Sequence, residues 1–141
     1  MFYFLIFGGN VGNSKEIFKL AREKIKLFGK LLYEGKLYKT KPHGIKNQKF
    51  FYNQGFIFKL SFSPFLALKF FQSLERIYGK KKKGSWGPRY LDIDIVYTYP
   101  LYKINTNFLK IPHPQIYERD YAKLIFKELI SFFKNKLKNK V

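Results

Sequence analysis

An unbroken apolar run opens the chain: FYFLIF at residues 2–7, dense in β-formers and closed by Gly8-Gly9. It predicts a buried first strand. Asn13 with Glu16 three positions later has the form of a capping box. Behind it Ile17, Leu20, Ala21, Ile25 and Phe28 recur at helical spacing, and Gly29 is the expected stop. Residues 31–38 and 52–60 return to strand composition, with a loop between them over 39–49 that contains Pro42 and Gly44. Ser63-Pro64 predicts a second helix start, Ala67, Phe70, Phe71, Leu74 and Ile77 its apolar face, and Gly79 its end. A fourth strand is expected over 90–99 and an irregular stretch over 100–120. A basic amphipathic helix carrying Leu124, Ile125, Leu129, Phe133 and Leu137 is expected over 122–138.

The order βαββαβ predicts an α+β, ferredoxin-like fold: an antiparallel sheet with helices on one face and a C-terminal helical extension. The 141 residues contain no internal repeat and no long linker, so one domain over 1–141 is expected, its last part (122–141) being the basic helix.

Composition narrows the chemistry. With 46% apolar and 21% aromatic residues the chain can fill a core. It has no cysteine, which excludes disulfides, thiolate nucleophiles and cysteine metal sites, and its two histidines argue against a histidine-rich zinc centre. No apolar run approaches the ~18–20 residues that span a bilayer. MFYFLIF lacks the flanks of a signal peptide. These features predict a cytoplasmic protein with no membrane partner. Lys and Arg number 28 against 9 Asp and Glu, a formal net charge of +19. Such a field attracts polyanions; a lysine-rich composition with a solvated basic surface accounts for it equally well.

The candidate chemistry lies in GSWGPRYLDIDIVY, residues 84–97. Asp92 and Asp94 are two apart on a strand, so they share a face, with Cβ atoms roughly 6–7 Å apart. Leu91, Ile93 and Ile95 then point to the core. Two ionised carboxylates this close repel, and a divalent cation relieves the repulsion; hard oxygen ligands suit Mg²⁺. By itself the pair is more often a solvated face of an edge strand. Arg89 adds a phosphate-type fork at the strand entry. Lys80, Lys81, Lys82 and Lys83 sit on a loop between Gly79 and Gly84, suited to closing over a triphosphate or simply solvated. Trp86 is a packing residue or a lid. His113, between two prolines, and Arg119 could both face phosphate; a lone histidine is more often structural. Phe51 and Asn53 share a strand face, an aromatic plane beside an amide, which suits a flat heterocycle or a core phenylalanine next to a ladder end.

Together these segments resemble the 6-hydroxymethyl-7,8-dihydropterin pyrophosphokinase family. The matching pieces, in order, are FGGNVGN, YKT-x-P-x-G, Gln48 with Phe51-x-Asn53, Leu74-Glu75 with Gly79, WGPR-x-LDIDI and IPHP-x-x-x-x-R, spanning about residues 4–121. The resemblance implies a ferredoxin-like fold. It also implies transfer of the β,γ-pyrophosphoryl group of ATP to the pterin hydroxymethyl oxygen, releasing AMP in tetrahydrofolate biosynthesis. It implies two Mg²⁺ ions, bound with ATP, on Asp92 and Asp94. Arg89, Lys80 and Lys82 would join these two carboxylates as catalytic residues. Glu75, Trp86, Arg89, Ile95, His113 and Arg119 would contact ATP. Thr40, Pro42, His43, Gly44, Phe51, Asn53 and Tyr121 would form the pterin site, with Phe51 and Tyr121 stacking on opposite sides of the ring. A monomer acting on two small substrates is expected.

Four departures stand out. Gly8-Gly9-Asn10 replaces the more usual Gly-Ser-Asn, lysines occupy the arginine places of the basic loop, Tyr121 stands where phenylalanine is usual, and His43 replaces an apolar residue. The resemblance assigns no role to the C-terminal helix.

The strongest rival is an RNA recognition module, which shares the βαββαβ order and the charge. Its third-strand signature fails here, because Tyr52-Asn53-Gln54 precedes Gly55. It also has no use for two carboxylates facing a polyphosphate. A non-catalytic basic binding protein leaves Asp92, Asp94, Arg89 and His113 unexplained together. No specific nucleic-acid partner is expected.

Overall fold

A computed structural model of the chain describes residues 1–41, 50–79 and 90–139. Strand β1 (Phe2–Gly9) runs into helix α1 (Ser14–Lys26), followed by β2 (Gly29–Thr40), β3 (Phe51–Leu60), α2 (Pro64–Gly79) and β4 (Asp92–Tyr99). The four strands form one antiparallel sheet in the order β2-β3-β1-β4. That is the ferredoxin-like arrangement expected from the sequence. The stretch read as irregular carries more structure than the pattern signalled. It holds a two-stranded ribbon of β5 (Ile104–Asn105) and β6 (Lys110–Ile111), and the short helix α3 (Gln115–Glu118). Helix α4 (Asp120–Lys138) closes the fold.

β1 is apolar without alternation because both of its faces are covered, the condition under which a strand loses its period-2 pattern. Tyr3, Leu5 and Phe7 face α1 and α2, where they meet Phe18, Ala21, Ile25, Ala67, Phe71 and Leu74. Phe4 and Ile6 face the other way and meet Ala122, Ile125, Leu129 and Phe133 of α4. The two helices of the βαββαβ unit therefore share one face. The C-terminal helix, left without a role by the sequence, covers the opposite one. This is also the face on which an RNA recognition module would stack bases; here much of it is core.

The local signals hold in several places. The Asn13 side chain accepts from the Glu16 backbone N–H at 3.2 Å and starts α1. Ser63 accepts from the Leu66 N–H at 3.4 Å ahead of Pro64. Other expectations are corrected. Gly29 does not stop α1; the helix ends at Lys26, and Gly29 opens β2, where any Cβ would lie 2.3 Å from the Lys59 carbonyl oxygen. The buried face of α1 is Ser14, Phe18, Ala21 and Ile25, and Leu20 and Phe28 are exposed. On α2 the outlying Ile77 is 61% exposed, and on α4 Leu124 and Leu137 face solvent. In each case the apolar stripe is wider than the strip of sheet it covers.

Candidate active site

Antiparallel register builds the site across four strands. Gly8 of β1 lies opposite Asn53 of β3 on one side and Asp92 of β4 on the other. One row deeper, Ile6 lies between Gly55 and Asp94. On β2, Tyr38 pairs with Asn53 and Thr40 with Phe51. Because side chains alternate between faces, Thr40, Phe51, Asn53, Asp92 and Asp94 all project from the α4 face. Their neighbours Leu91, Ile93 and Ile95 are buried under the α1–α2 layer, as the alternation requires.

Two glycines shape this surface. Gly55 admits α4: a Cβ there would lie 2.5 Å from Ile125 Cγ2. At Gly8 a Cβ would lie 3.0 Å from Asn53 Oδ1. With no side chain at Gly8, the row between the Asn53 amide and the Asp92 carboxylate stays open. Asn53 is buried, and its Nδ2 donates to Thr40 Oγ1 at 3.4 Å.

A second group comes from the segment before α4. The His113 backbone N–H donates to the Val96 carbonyl at 3.0 Å, which ties this segment to β4. His113 Nδ1 accepts from the Gln115 backbone N–H at 3.2 Å, so in the neutral ring the proton sits on Nε2. The Gln115 side chain, 6% exposed, donates from Nε2 to Asp94 Oδ2 at 2.9 Å. Its Oε1 accepts from the Tyr121 hydroxyl at 3.2 Å, and that hydroxyl accepts from Arg119 Nη1 at 3.4 Å. The Tyr121 hydroxyl has its pKa raised, first by burial and further by the charges of Asp94 and Asp92, while Arg119 pulls the other way. Both carboxylates and the guanidinium therefore act on one phenol. Beside His113 a cavity of about 390 Å³ opens between the β5–β6 ribbon and the proline-framed segment, lined by Lys103, Asn105, Lys110, Pro112 and Pro114.

Sequence-derived candidates fall into three sets. Asp92, Asp94, His113, Arg119, Tyr121, Thr40, Phe51 and Asn53 lie on or beside this face. Glu75 and Ile95 do not project into it. The Glu75 carboxylate, 8% exposed on α2, accepts from the Ile93 backbone N–H at 2.7 Å, and so braces β4 between the two aspartates. Ile95 is 2% exposed in the core, so its side chain is turned away from the carboxylates. Pro42, His43, Gly44, Lys80, Lys82, Trp86 and Arg89 lie outside the described residues. Gln115 was missed. Its partner Asp94 is 21 positions away, and no local spacing announces such a contact.

A four-stranded ferredoxin-like sheet with paired carboxylates, an amide and two aromatic rings on one face defines an α+β protein whose polar groups gather on the part of that face beyond the core under α4. The chain matches the 7,8-dihydro-6-hydroxymethylpterin-pyrophosphokinase family over residues 4–131, and it belongs to that family. It is 36% identical over 121 residues to the 2-amino-4-hydroxy-6-hydroxymethyldihydropteridine pyrophosphokinase of Aquifex aeolicus, covering 84% of this chain and 73% of that protein. The enzyme of the same name from Bacillus subtilis is 37% identical over 83 residues, 59% of this chain and 49% of the relative. A folate synthesis bifunctional protein of Arabidopsis thaliana is 33% identical over 117 residues, 82% of this chain and 24% of the larger protein. The chain is thus a pyrophosphokinase, transferring a pyrophosphoryl group to the hydroxymethyl group of the dihydropterin in folate biosynthesis.

Proposed function

We propose that the donor is ATP, that AMP is released, and that Asp92 and Asp94 hold Mg²⁺, as two ions with the nucleotide, against its phosphates. The observation that carries this reading is the register. Thr40, Phe51 and Asn53, the groups suited to a flat heterocycle, lie on the same sheet face as the two aspartates, and only Gly8 separates Asn53 from Asp92.

The donor set fits a hard cation that is only partly coordinated by protein. Two carboxylates on one strand face supply oxygen ligands, and no cluster of three or more His, Cys, Asp or Glu is present among the described residues. The rest of the shell falls to water and substrate phosphates, as Mg²⁺ prefers. When bound, the metal supplies charge neutralisation and acidifies the attacking hydroxyl. The chain's own groups position. The Asn53 amide and Thr40 hydroxyl offer donors and acceptors to the pterin edge, and Phe51 and Tyr121 offer aromatic planes. His113, with Nδ1 engaged, presents Nε2 to a phosphate oxygen, and Arg119 supplies fixed positive charge. The cavity bounded by Lys103 and Lys110 beside His113 suits the nucleotide. Lys80, Lys82, Trp86 and Arg89 complete the triphosphate side in this reading, and Pro42, His43 and Gly44 the pterin side. We read the chain as a cytoplasmic monomer; no described helix is long and apolar enough to cross a membrane.

The test is incubation of the protein with ATP, Mg²⁺ and 6-hydroxymethyl-7,8-dihydropterin, following AMP. AMP formed only when pterin and metal are both present is the expected result. ADP in place of AMP, or AMP formation unchanged by chelation, overturns it. Asp94→Asn should lower turnover by about 10³-fold or more while the fold is kept.

A further inference from the structure

We propose that Gln115 is a positioning residue for Asp94, and that Tyr121 and Arg119 act on the same carboxylate through it. The inference rests on the reading of Asp94 as a cation ligand and adds Gln115, which that reading does not use.

The hydrogen bonds run in one direction. Arg119 Nη1 donates to the Tyr121 oxygen, the Tyr121 O–H donates to Gln115 Oε1, and Gln115 Nε2 donates to Asp94 Oδ2. The amide can have only one orientation: its NH₂ must face the carboxylate, which has no proton to give, and its oxygen must face the hydroxyl. A chain that begins on a guanidinium and ends on a carboxylate polarises along its length, so each link strengthens the next. Gln115 is also fixed at its backbone, where its N–H donates to His113 Nδ1. It is nearly fully buried, so the amide has little freedom to leave.

The consequence for Asp94 is preorganisation. One oxygen, Oδ2, is pinned by the amide, which sets the carboxylate plane and leaves Oδ1 for a cation. Outer partners of metal ligands act in this way, and their loss commonly weakens metal binding about 10- to 100-fold. The chain also joins the two halves of the site. The ring proposed to stack on pterin and the carboxylate proposed to hold metal share one hydrogen-bonded frame, so a change at the Tyr121 hydroxyl reaches the cation without touching it.

The experiment is binding of Mn²⁺, read from the free-ion paramagnetic resonance signal, in the presence of α,β-methylene-ATP. Four proteins are compared with the wild type: Gln115→Met, Tyr121→Phe, the double variant, and Asp94→Asn. Methionine keeps the volume of Gln115 and removes its donor and acceptor; phenylalanine keeps the Tyr121 ring. Gln115→Met should bind Mn²⁺ about tenfold more weakly and Tyr121→Phe about threefold more weakly. The double variant should bind no more weakly than Gln115→Met, because the hydroxyl acts only through the amide. A purely structural role for Gln115 would not produce that non-additivity. Loss of Mn²⁺ binding in Asp94→Asn alongside wild-type binding in Gln115→Met overturns the positioning role alone. Wild-type binding in Asp94→Asn overturns the ligand reading and this inference with it. If Gln115→Met fails to fold, Tyr121→Phe decides: unchanged Mn²⁺ affinity in that variant refutes the relay.

Discussion

Gly8→Ala separates binding from folding in a way the register makes specific. The added Cβ would lie 3.0 Å from Asn53 Oδ1, against an ordinary contact of 3.4 Å or more, so the amide must give by a few tenths of an ångström. Its tether to Thr40 is long at 3.4 Å, so yielding costs the fold little. Gly8 is not in the left-handed region, and replacing glycine by alanine in an ordinary conformation stabilises by about 0.4–1 kcal/mol through the unfolded chain. Stability should therefore change by less than about 1 kcal/mol. With the pterin edge placed against Asn53 as proposed, it would lose a correctly aimed amide, and a misplaced buried partner costs about 1–3 kcal/mol, or roughly 5- to 150-fold in affinity. The assay is titration of 6-hydroxymethylpterin with a non-hydrolysable ATP analogue present, paired with a thermal melt. Gly55→Ala is the companion. Its Cβ would lie 2.5 Å from Ile125 Cγ2 and 3.1 Å from Leu129 Cδ1 and Cδ2, so it should lose about 1–3 kcal/mol of stability as α4 is pushed off the sheet. Pterin affinity in Gly8→Ala within twofold of wild type, with an unchanged melt, would refute the placement of the pterin edge against Asn53.

Two further outcomes follow from groups elsewhere in the fold. Glu75→Ala leaves the Ile93 N–H without the acceptor that now lies at 2.7 Å and should cost about 1–3 kcal/mol in urea denaturation, whereas Glu75→Gln, which keeps an oxygen there, should recover most of it; equal losses in the two variants would contradict the bracing role. In alkali, Tyr3 is pushed up to about 12 by burial, and Tyr33 to about 12 first by its hydrogen bond to Glu128. Both folded-state values lie above the ordinary 10.0, so the folded chain holds these protons more tightly than the unfolded chain. Their stabilisation is whole below pH 10 and is lost as pH rises toward 12. Glu128→Gln should bring Tyr33, and Tyr38 with it, back to an earlier ultraviolet titration, and an unchanged titration curve would contradict the Glu128 assignment.

How far the site was legible depends on the range of the forces that make it. The alternation LDIDI already turned Asp92 and Asp94 away from Leu91, Ile93 and Ile95, because strand geometry has period 2 whatever lies outside it. The N-caps at Asn13 and Ser63 were equally plain, since a cap joins residues three apart. The ferredoxin-like order could be read from the succession of strand and helix patterns. Expectations failed where a partner element decides. Leu20, Ile77 and Leu124 fit a helical stripe, but whether a stripe position is buried depends on how much sheet lies beneath it.

Local pattern was enough for the set of elements, the face each aspartate takes, and, through its motifs, the family. Tertiary structure alone decided the rest. Packing placed α4 on the second face of the sheet and so confined the site to the end it leaves open. Register set Asn53, Gly8 and Asp92 in one row. Folding also set Glu75 as a brace for Ile93, 18 positions away, and brought Gln115 to Asp94 across 21. Contacts between residues so far apart form only once chain entropy has been overcome by burial of the intervening core, and no window of sequence encodes which partners that core will bring together.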